Sequence, residues 1–353
     1  MRVSLMAVLL GTLTSLPALS QTCPPFVAQS PSTFPAEISG RMVYERTYAD
    51  PNRPVNDNEA SDIYLYDLAS RQLTDIPTAS WGLRLPLNPV FSKDGKGVLF
   101  SAIRTASGGQ ELRDLFYWTI GSAGPAANLT GAADGSVNRQ RNEDPKFSQK
   151  GEKIVWKQQG GIAVADFATP SGVPTLSNVQ HLLNGTLGAS TEKSGPVFSP
   201  TEKYIYYFGA SGSAERVWRY NLITKDKSTV IKMPTKNGLP AYYPVDPDLY
   251  QLIYVSKLDA SHPQDKIYTL SLMTSRSYVW NGTDCDADNS DPAPIDEDYF
   301  LYSRGPGTSS THYRLFVGQL NGGQAWDLSS LGITLFDGPD GDLKGADYTA
   351  VRP

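Results

Sequence analysis

The sequence predicts an all-β fold, a six-bladed β-propeller of four-stranded antiparallel blades, and three observations carry that expectation. The first is a phrase that recurs down the 353-residue chain. It reads Pro89-Val-Phe-Ser-Lys-Asp-Gly-Lys-Gly-Val-Leu-Phe100, Pro145-Lys-Phe-Ser-Gln-Lys-Gly-Glu-Lys-Ile-Val-Trp156 and Pro196-Val-Phe-Ser-Pro-Thr-Glu-Lys-Tyr-Ile-Tyr-Tyr207. Looser copies start at Pro244 and Pro292, and a degenerate one at Pro35. The second is the interval between these prolines, 54, 56, 51, 48 and 48 residues, near the length of one four-stranded blade. The third is punctuation, 31 glycines and 26 prolines against few runs that would sustain a helix. Six anchors imply six blades, with seven as the alternative count.

Within a unit the phrase reads as an inner strand, a turn carrying Gly or Asp, and a second apolar strand of the Ile-Val-Trp type. A third strand follows, alternating or aromatic, as in Asp62-Ile-Tyr-Leu-Tyr-Asp67, Asp114-Leu-Phe-Tyr-Trp118, Arg216-Val-Trp-Arg-Tyr220, Lys266-Ile-Tyr-Thr-Leu270 and Tyr313-Arg-Leu-Phe-Val317. A fourth, edge-like segment such as Arg71-Gln-Leu-Thr74 completes the blade. The Pro35 copy offers a poor inner strand. The C-terminal Asp347-Tyr-Thr-Ala-Val-Arg352 is therefore expected to close the ring beside N-terminal strands, a tail lying loosely on the surface being the alternative. These residues resemble the TolB-like, WD40-like repeat family, whose blades carry Pro-x-aromatic-Ser-Pro-Asp-Gly, then Ile/Val-aromatic, then Asp-Ile-Tyr-x-x-Asp. The resemblance covers roughly residues 35–330 and implies the propeller fold. It is nearly silent on function, since such propellers serve as binding platforms, scaffolds, peptidase caps and glycan-processing enzymes.

Residues 1–20 read as a secretory signal peptide, with Arg2, a short apolar run and Ala18-Leu19-Ser20. The run is too short for a membrane anchor and is broken by Pro17. Residues 21–34 form an N-terminal segment and 35–353 a single propeller domain, in a secreted, extracellular protein expected to be a monomer. Cys23 and Cys285 are the only cysteines, and an oxidising compartment favours one disulfide, clasping the start of the mature chain to the last blade. Asn128, Asn184 and Asn281 open Asn-x-Thr sequons. The formal net charge is −5 with a pI near 5.3, and about −6 once Arg2 is removed. No basic field exists to attract nucleic acid or an anionic membrane, and neither partner is expected.

Several chemistries can be set aside. There is no Gly-x-Ser-x-Gly elbow for a serine peptidase. His181, His262 and His312 lack metal-ligand spacing, so neither a zinc site nor a cofactor is expected. A structural calcium ion would suit Asp284, Asp286 and Asp288, solvated turns being the competing interpretation.

Propeller geometry is more informative, because the loop entering each inner strand and the loop leaving each second strand share one face around the channel mouth. Entering the inner strands are Trp81, Arg84 and Asn88; Arg139, Arg141, Asn142, Glu143 and Asp144; Glu192 and Lys193; Tyr242 and Tyr243; and Asp288, Asn289 and Asp291. Leaving the second strands are Arg46, Arg104, Lys157, Lys257 and Arg304. Five of six blades thus place a base at one phase, which suits a carboxylate ligand such as a uronate. Trp81, Tyr242, Tyr243 and Tyr313 would offer flat surfaces to sugar rings. The competing interpretation pairs these cations with Asp and Glu on the same loops. For catalysis, Glu143 or Asp144 would be the general acid or base and Asp288 or Asp291 the second carboxylate of a glycoside hydrolase. A lyase would pair an Arg or Lys that neutralises the uronate, as Arg141 could, with a base drawn from Lys193, Tyr242, Tyr243 or His312. Asp144 and Asp291 precede the repeat proline, where capping the inner strand is an equal claim. The expectation is a secreted glycan- or glycoside-processing enzyme, lyase or hydrolase, acting on an acidic saccharide. The alternative is a non-catalytic carbohydrate- or protein-binding propeller.

Overall fold

A computed structural model describes residues 26–49, 59–106, 109–131, 141–189, 191–211, 214–230, 241–245, 251–259, 262–282, 287–306, 312–331 and 341–351. They form six four-stranded antiparallel sheets. Blade 2 is β4 (Arg84–Phe91), β5 (Gly97–Thr105), β6 (Glu111–Thr119) and β7 (Ala127–Asn128). Blade 3 is β8 (Asn142–Phe147), β9 (Lys153–Gln158), β10 (Gly161–Ala168) and β11 (Thr175–Leu183). Blade 4 is β12 (Lys193–Phe198), β13 (Tyr204–Ser211), β14 (Ala214–Asn221) and β15 (Lys227–Thr229). Blade 5 is β16 (Ala241–Val245), β17 (Gln251–Asp259), β18 (His262–Ser271) and β19 (Arg276–Val279). Blade 6 is β20 (Asp288–Pro294), β21 (Tyr299–Gly305), β22 (Arg314–Gln319) and β23 (Ala325–Asp327). Each runs from the channel outwards in chain order.

Blade 1 closes the ring by mixing the two ends of the chain, as expected. β1 (Arg41–Ala49), β2 (Glu59–Asp67) and β3 (Gln72–Ile76) receive their inner strand from β24 (Asp342–Thr349). The register runs from Arg41 opposite Thr349 to Thr47 opposite Asp342. The closing strand starts five residues before the expected tail, and the Pro35 region forms a 3-10 turn at Pro31–Thr33 and bends instead of a strand. Arg41 fastens the seam, donating to the carbonyl oxygens of Gly95 (2.5 Å) and Val351 (3.1 Å). The inner strands then neighbour one another in the cyclic order β4, β8, β12, β16, β20, β24.

The repeated phrase has a physical reading in each blade. The apolar second strands, such as Val98-Leu99-Phe100 and Ile154-Val155-Trp156, are fully buried and pack between neighbouring blades. Rings stack across strands, with Phe100 and Phe116 5.9 Å apart and Trp280 edge-on to Phe300 at 4.9 Å. Each such side chain stabilises the fold by roughly 1.5–3 kcal/mol through burial. The serine of the phrase closes the hairpin. The Ser92, Ser148 and Ser199 hydroxyls accept the N–H of Gly97 (2.9 Å), Lys153 (3.3 Å) and Tyr204 (3.1 Å).

The proline marks a bulge. Every inner strand slips register once against its neighbour at the same phase. Among the described dihedrals, the residue at the slip is left-handed: Asn88 (φ 54°), Asp144 (51°), Gly195 (55°), Asp291 (49°) and Gly345 (56°). Asn, Asp and Gly are the residues that tolerate this conformation. In four of these five the next residue is the repeat proline, which has no N–H to lose where the ladder is broken.

The N-terminal segment lies along blade 6. Phe26 meets Phe316 edge-on at 5.7 Å, Gln29 donates its N–H to Ala325 O at 2.7 Å, and Trp326 Nε1 donates to Thr33 Oγ1 at 3.1 Å. This is the contact expected to carry the Cys23–Cys285 clasp; both cysteines, like residues 1–20, lie outside the described residues. No helix among the described residues is long and apolar enough to cross a membrane.

Candidate ligand-binding face

On the face predicted to hold a site, the start of β8 gathers charge. Glu143 on β8 stands opposite Lys157 on β9, and its buried carboxylate takes Lys157 Nζ at 3.2 Å, Arg141 Nε at 2.5 Å and Arg113 Nε at 3.4 Å. Lys157 reaches on to Glu192 at 2.5 Å. Burial pulls the Lys157 ammonium down, but the hydrogen bond to Glu192 and the charges of Glu143 and Asp144 outweigh it and hold its pKa above the ordinary lysine range. Burial raises Glu192 less than its bonds from Lys157 and the Gly188 N–H lower it, so it stays below the usual carboxylate range. Glu143 is thus an ion-pair centre with three cationic partners.

Beside this network a basin of about 590 Å³ opens over blades 2 and 3. Leu85, Leu87, Ile103 and Leu112 form its floor, and Arg113, Arg141, Glu59 and Glu111 stand around it. Its size is that of an ordinary ligand pocket. The floor exists because β4 slips register a second time, between Arg84 and Leu87, a distortion found in no other described inner strand. Leu85 is held at φ 45°, a conformation costing a bulky residue roughly 1–2 kcal/mol. Two bonds pin it there: Arg113 Nη1 donates to Leu85 O at 2.9 Å and Ser61 Oγ to Pro86 O at 2.7 Å.

Between Asn88, Asp144, Lys146, Gly195 and Asp291 the channel leaves about 60 Å³ free, and next to Lys146 it widens to about 260 Å³ among Phe91, Phe147, Phe198, Ala293 and Tyr348. Asp144 Oδ2 accepts the Gly195 N–H at 3.2 Å, tying blade 3 to blade 4, and Glu45 Oε2 accepts the Asn88 N–H at 2.6 Å, tying blade 1 to blade 2. Burial pushes all three carboxyls up, Glu45 to about 7, with Asp144 and Asp291 adding to the rise at Glu45. Lys146 lowers both aspartates and Lys344 lowers Asp291 and Glu45, so the channel balances its own charge.

The remaining predicted residues are dispersed and engaged. Trp81 packs on Trp118 (6.2 Å) against the core between blades 1 and 2. Arg84 pairs with Glu111, and Arg104 with Asp114 at 2.5 Å. Arg46 lies 4.5 Å over the Tyr48 ring and bonds the Tyr64 hydroxyl; Arg304 lies 4.0 Å over Phe26. Lys193 Nζ donates to the carbonyl oxygens of Asn184 (2.8 Å) and Thr191 (2.6 Å). Lys257 is half-buried opposite Asp265. Asp288 accepts the Asp265 N–H at 2.5 Å and the Tyr313 hydroxyl, whose pKa burial and that carboxylate both push up. Asn142 and Asn289, at one repeat phase, donate to Arg113 O (3.2 Å) and Asp265 O (3.3 Å) of the preceding blade as latches. Exposed His312 accepts the Gly341 N–H through Nδ1 at 3.5 Å.

Asn184 and Asn281 are exposed, whereas Asn128 is half-buried with its amide nitrogen on Asp114 at 3.1 Å. Tyr242 and Tyr243 occupy β16; their side chains, together with Arg139, Asp284 and Asp286, lie outside what is described. Among the described residues no group of three or more His, Cys, Asp or Glu is placed to hold a metal.

Sequence reasoning missed Arg113, Glu45 and the basin floor. The available signals were Pro86, a second proline three residues before the repeat proline, and Glu45, a lone acid after an apolar strand run.

No protein-family profile matches the chain, and no curated protein matches it. Solved structures do. TolB from Acinetobacter baumannii superposes with a TM-score of 0.60 at 14% identity, over 89% of this chain and 67% of that one. The fold is that of a TolB-like six-bladed propeller. A structure assigned as TolB from Agrobacterium tumefaciens gives 0.56 at 14% identity, over 88% of this chain and 99% of its own. A puromycin-hydrolyzing peptidase of Mycobacterium tuberculosis gives 0.53 at 11%, and this chain spans 45% of it. At such identities the likeness is one of fold.

Proposed function

We propose that this protein is a non-catalytic binding propeller that takes an extended peptide segment of a partner protein in the basin over blades 2 and 3. The observation that carries this is the pinned, apolar floor of Leu85, Leu87, Ile103 and Leu112 beside Arg113 and Arg141. An aliphatic side chain would seat on the floor and an adjacent carboxylate would meet Arg141, whose side chain is half exposed beside Glu143. Glu59 and Glu111 offset part of that positive charge, which favours a peptide with its own N–H groups over a polyanion.

The glycan-processing enzyme has less support. Glu143 is committed to Lys157, Arg141 and Arg113, and Asp288 to Tyr313 and the Asp265 N–H. Of the aromatic platforms, Trp81 is partly buried against a core cluster and Tyr313 is bonded through its hydroxyl. The leader-like first 20 residues support action outside the cytoplasm.

Selection of displayed random peptides against the full chain should enrich sequences pairing a Leu, Ile or Val with a nearby Asp or Glu. No enrichment, together with turnover of uronate oligosaccharides seen as new reducing ends or unsaturated-product absorbance, would overturn the proposal.

A further inference from the structure

Blade 3 carries an outer strand unlike its counterparts. β11 runs nine residues, whereas the outer strands of the other five blades run two to five. The short ones are also guarded. Asp75 sits in β3, Lys227 in β15, Arg276 in β19 and Asp327 in β23, while β7 has two residues to offer. Short length and edge charges are the usual protection against strand pairing.

β11 is neither short nor charged, and its middle carries a bulge at Asn178 (φ 51°). No Asp, Glu, Lys or Arg occurs from Phe167 to Thr191, in a chain that is 19% charged. β11 slips register twice against β10; Leu176 packs towards blade 2 and Leu182 and Leu183 towards blade 4. Five consecutive residues, Ser177 to His181, are left exposed at the middle of the strand. Val179 at its centre is 50% exposed.

We propose that β11 is a dimerisation edge at which two copies of this chain pair strand to strand about a twofold axis. Charge selects the occupant. Two copies of a molecule with net charge −5 repel each other over most of their surfaces, and this charge-free strip is where that repulsion is weakest. The strip is also complementary to itself. Asn178 (φ 51°) bulges where the register against β10 slips between Val164 and Asp166, so pairing uses the residues on either side of it, Ser177 and Val179 to His181, which are apolar or hydrogen-bonding and carry no carboxylate or ammonium. Asn184, with its sequon, falls one residue beyond the paired strand. The dimer would join two four-stranded blades into one eight-stranded sheet, in place of the monomer expected from sequence. It does not depend on what the basin binds.

The test is the mass of the full chain in solution, by sedimentation or light scattering across micromolar concentrations. Wild type and the control Thr229→Lys, which charges the edge of β15, should be dimers. Val179→Lys and Gln180→Asp should weaken dimerisation at least tenfold and run as monomers with unchanged melting. A wild type that is monomeric throughout, as an edge reserved for another protein's peptide would be, overturns the proposal. So does a dimer that survives both substitutions. If one variant fails to fold by circular dichroism, the other decides.

Discussion

Glu45 is a buried carboxyl whose position is fixed by one bond to the Asn88 N–H and whose neighbours Asp144 and Asp291 disfavour its charge. Burial is the larger cause, lifting its pKa from 4.5 to about 7. The folded state therefore holds this proton more tightly than the unfolded chain does. The associated stability is complete below about pH 4.5 and is lost as pH rises to about 7. Glu45→Gln keeps an acceptor for Asn88 and removes the charge. Its melting temperature relative to wild type should rise across that window, reaching a gain on the order of 3 kcal/mol at most above it. Because Asp144 and Asp291 are coupled to Glu45 by charge, the difference reports what removing one charge does to this group of three carboxyls. A difference that stays flat with pH would contradict the assignment. At this scale the sequence was a partial guide. The basic residues at one repeat phase were visible, but not that Arg304 would lie on Phe26 or Arg46 on Tyr48, because those partners come from outside the phrase.

At the scale of elements, the repeated phrase was legible because each part has a local cause: serine closing the hairpin, glycine turning it, and an apolar triplet filling the gap between blades. Gly95 shows the local and non-local parts together. Its φ of 68° asks for glycine, and a Cβ there would lie 2.8 Å from the carbonyl oxygen of Val351, on the closing tail. Gly95→Ala should lose roughly 1–2 kcal/mol from the dihedral alone and more from the clash, read by denaturant unfolding. Gly109 has a similar φ of 79° with nothing within 4 Å, so Gly109→Ala should show the smaller loss. Equal losses would mean that the tail does not press on this turn. The pre-proline bulge was harder to read. Asn88, Asp144, Gly195 and Asp291 share a backbone need and no side-chain chemistry, so the aspartates looked like candidate acids. The second bulge of β4 hid in the run Leu85-Pro86-Leu87-Asn88-Pro89, where two residue-proline steps lie three apart.

For the whole molecule, closure by β24 completes the ring; the axis keeps about 60 Å³ between its charged groups and about 260 Å³ among Phe91, Phe147, Phe198 and Tyr348, and the larger volume lies off-axis in the basin. Average charge gave no hint of this. The basin draws Glu59 from the start of β2, Leu85 and Leu87 from β4, Ile103 from β5, Leu112 and Arg113 from β6 and Arg141 from just before β8, residues up to 82 positions apart brought together by blade packing. The central claim is that this basin, and not the channel, binds the partner. It is tested most directly by calorimetric affinity of a selected peptide for wild type, Leu112→Asp and Lys146→Ala. Leu112→Asp should weaken binding at least tenfold, about 1.4 kcal/mol, with unchanged melting, and Lys146→Ala should leave it intact. Undiminished binding by Leu112→Asp with loss in Lys146→Ala would place the site in the channel and contradict the account.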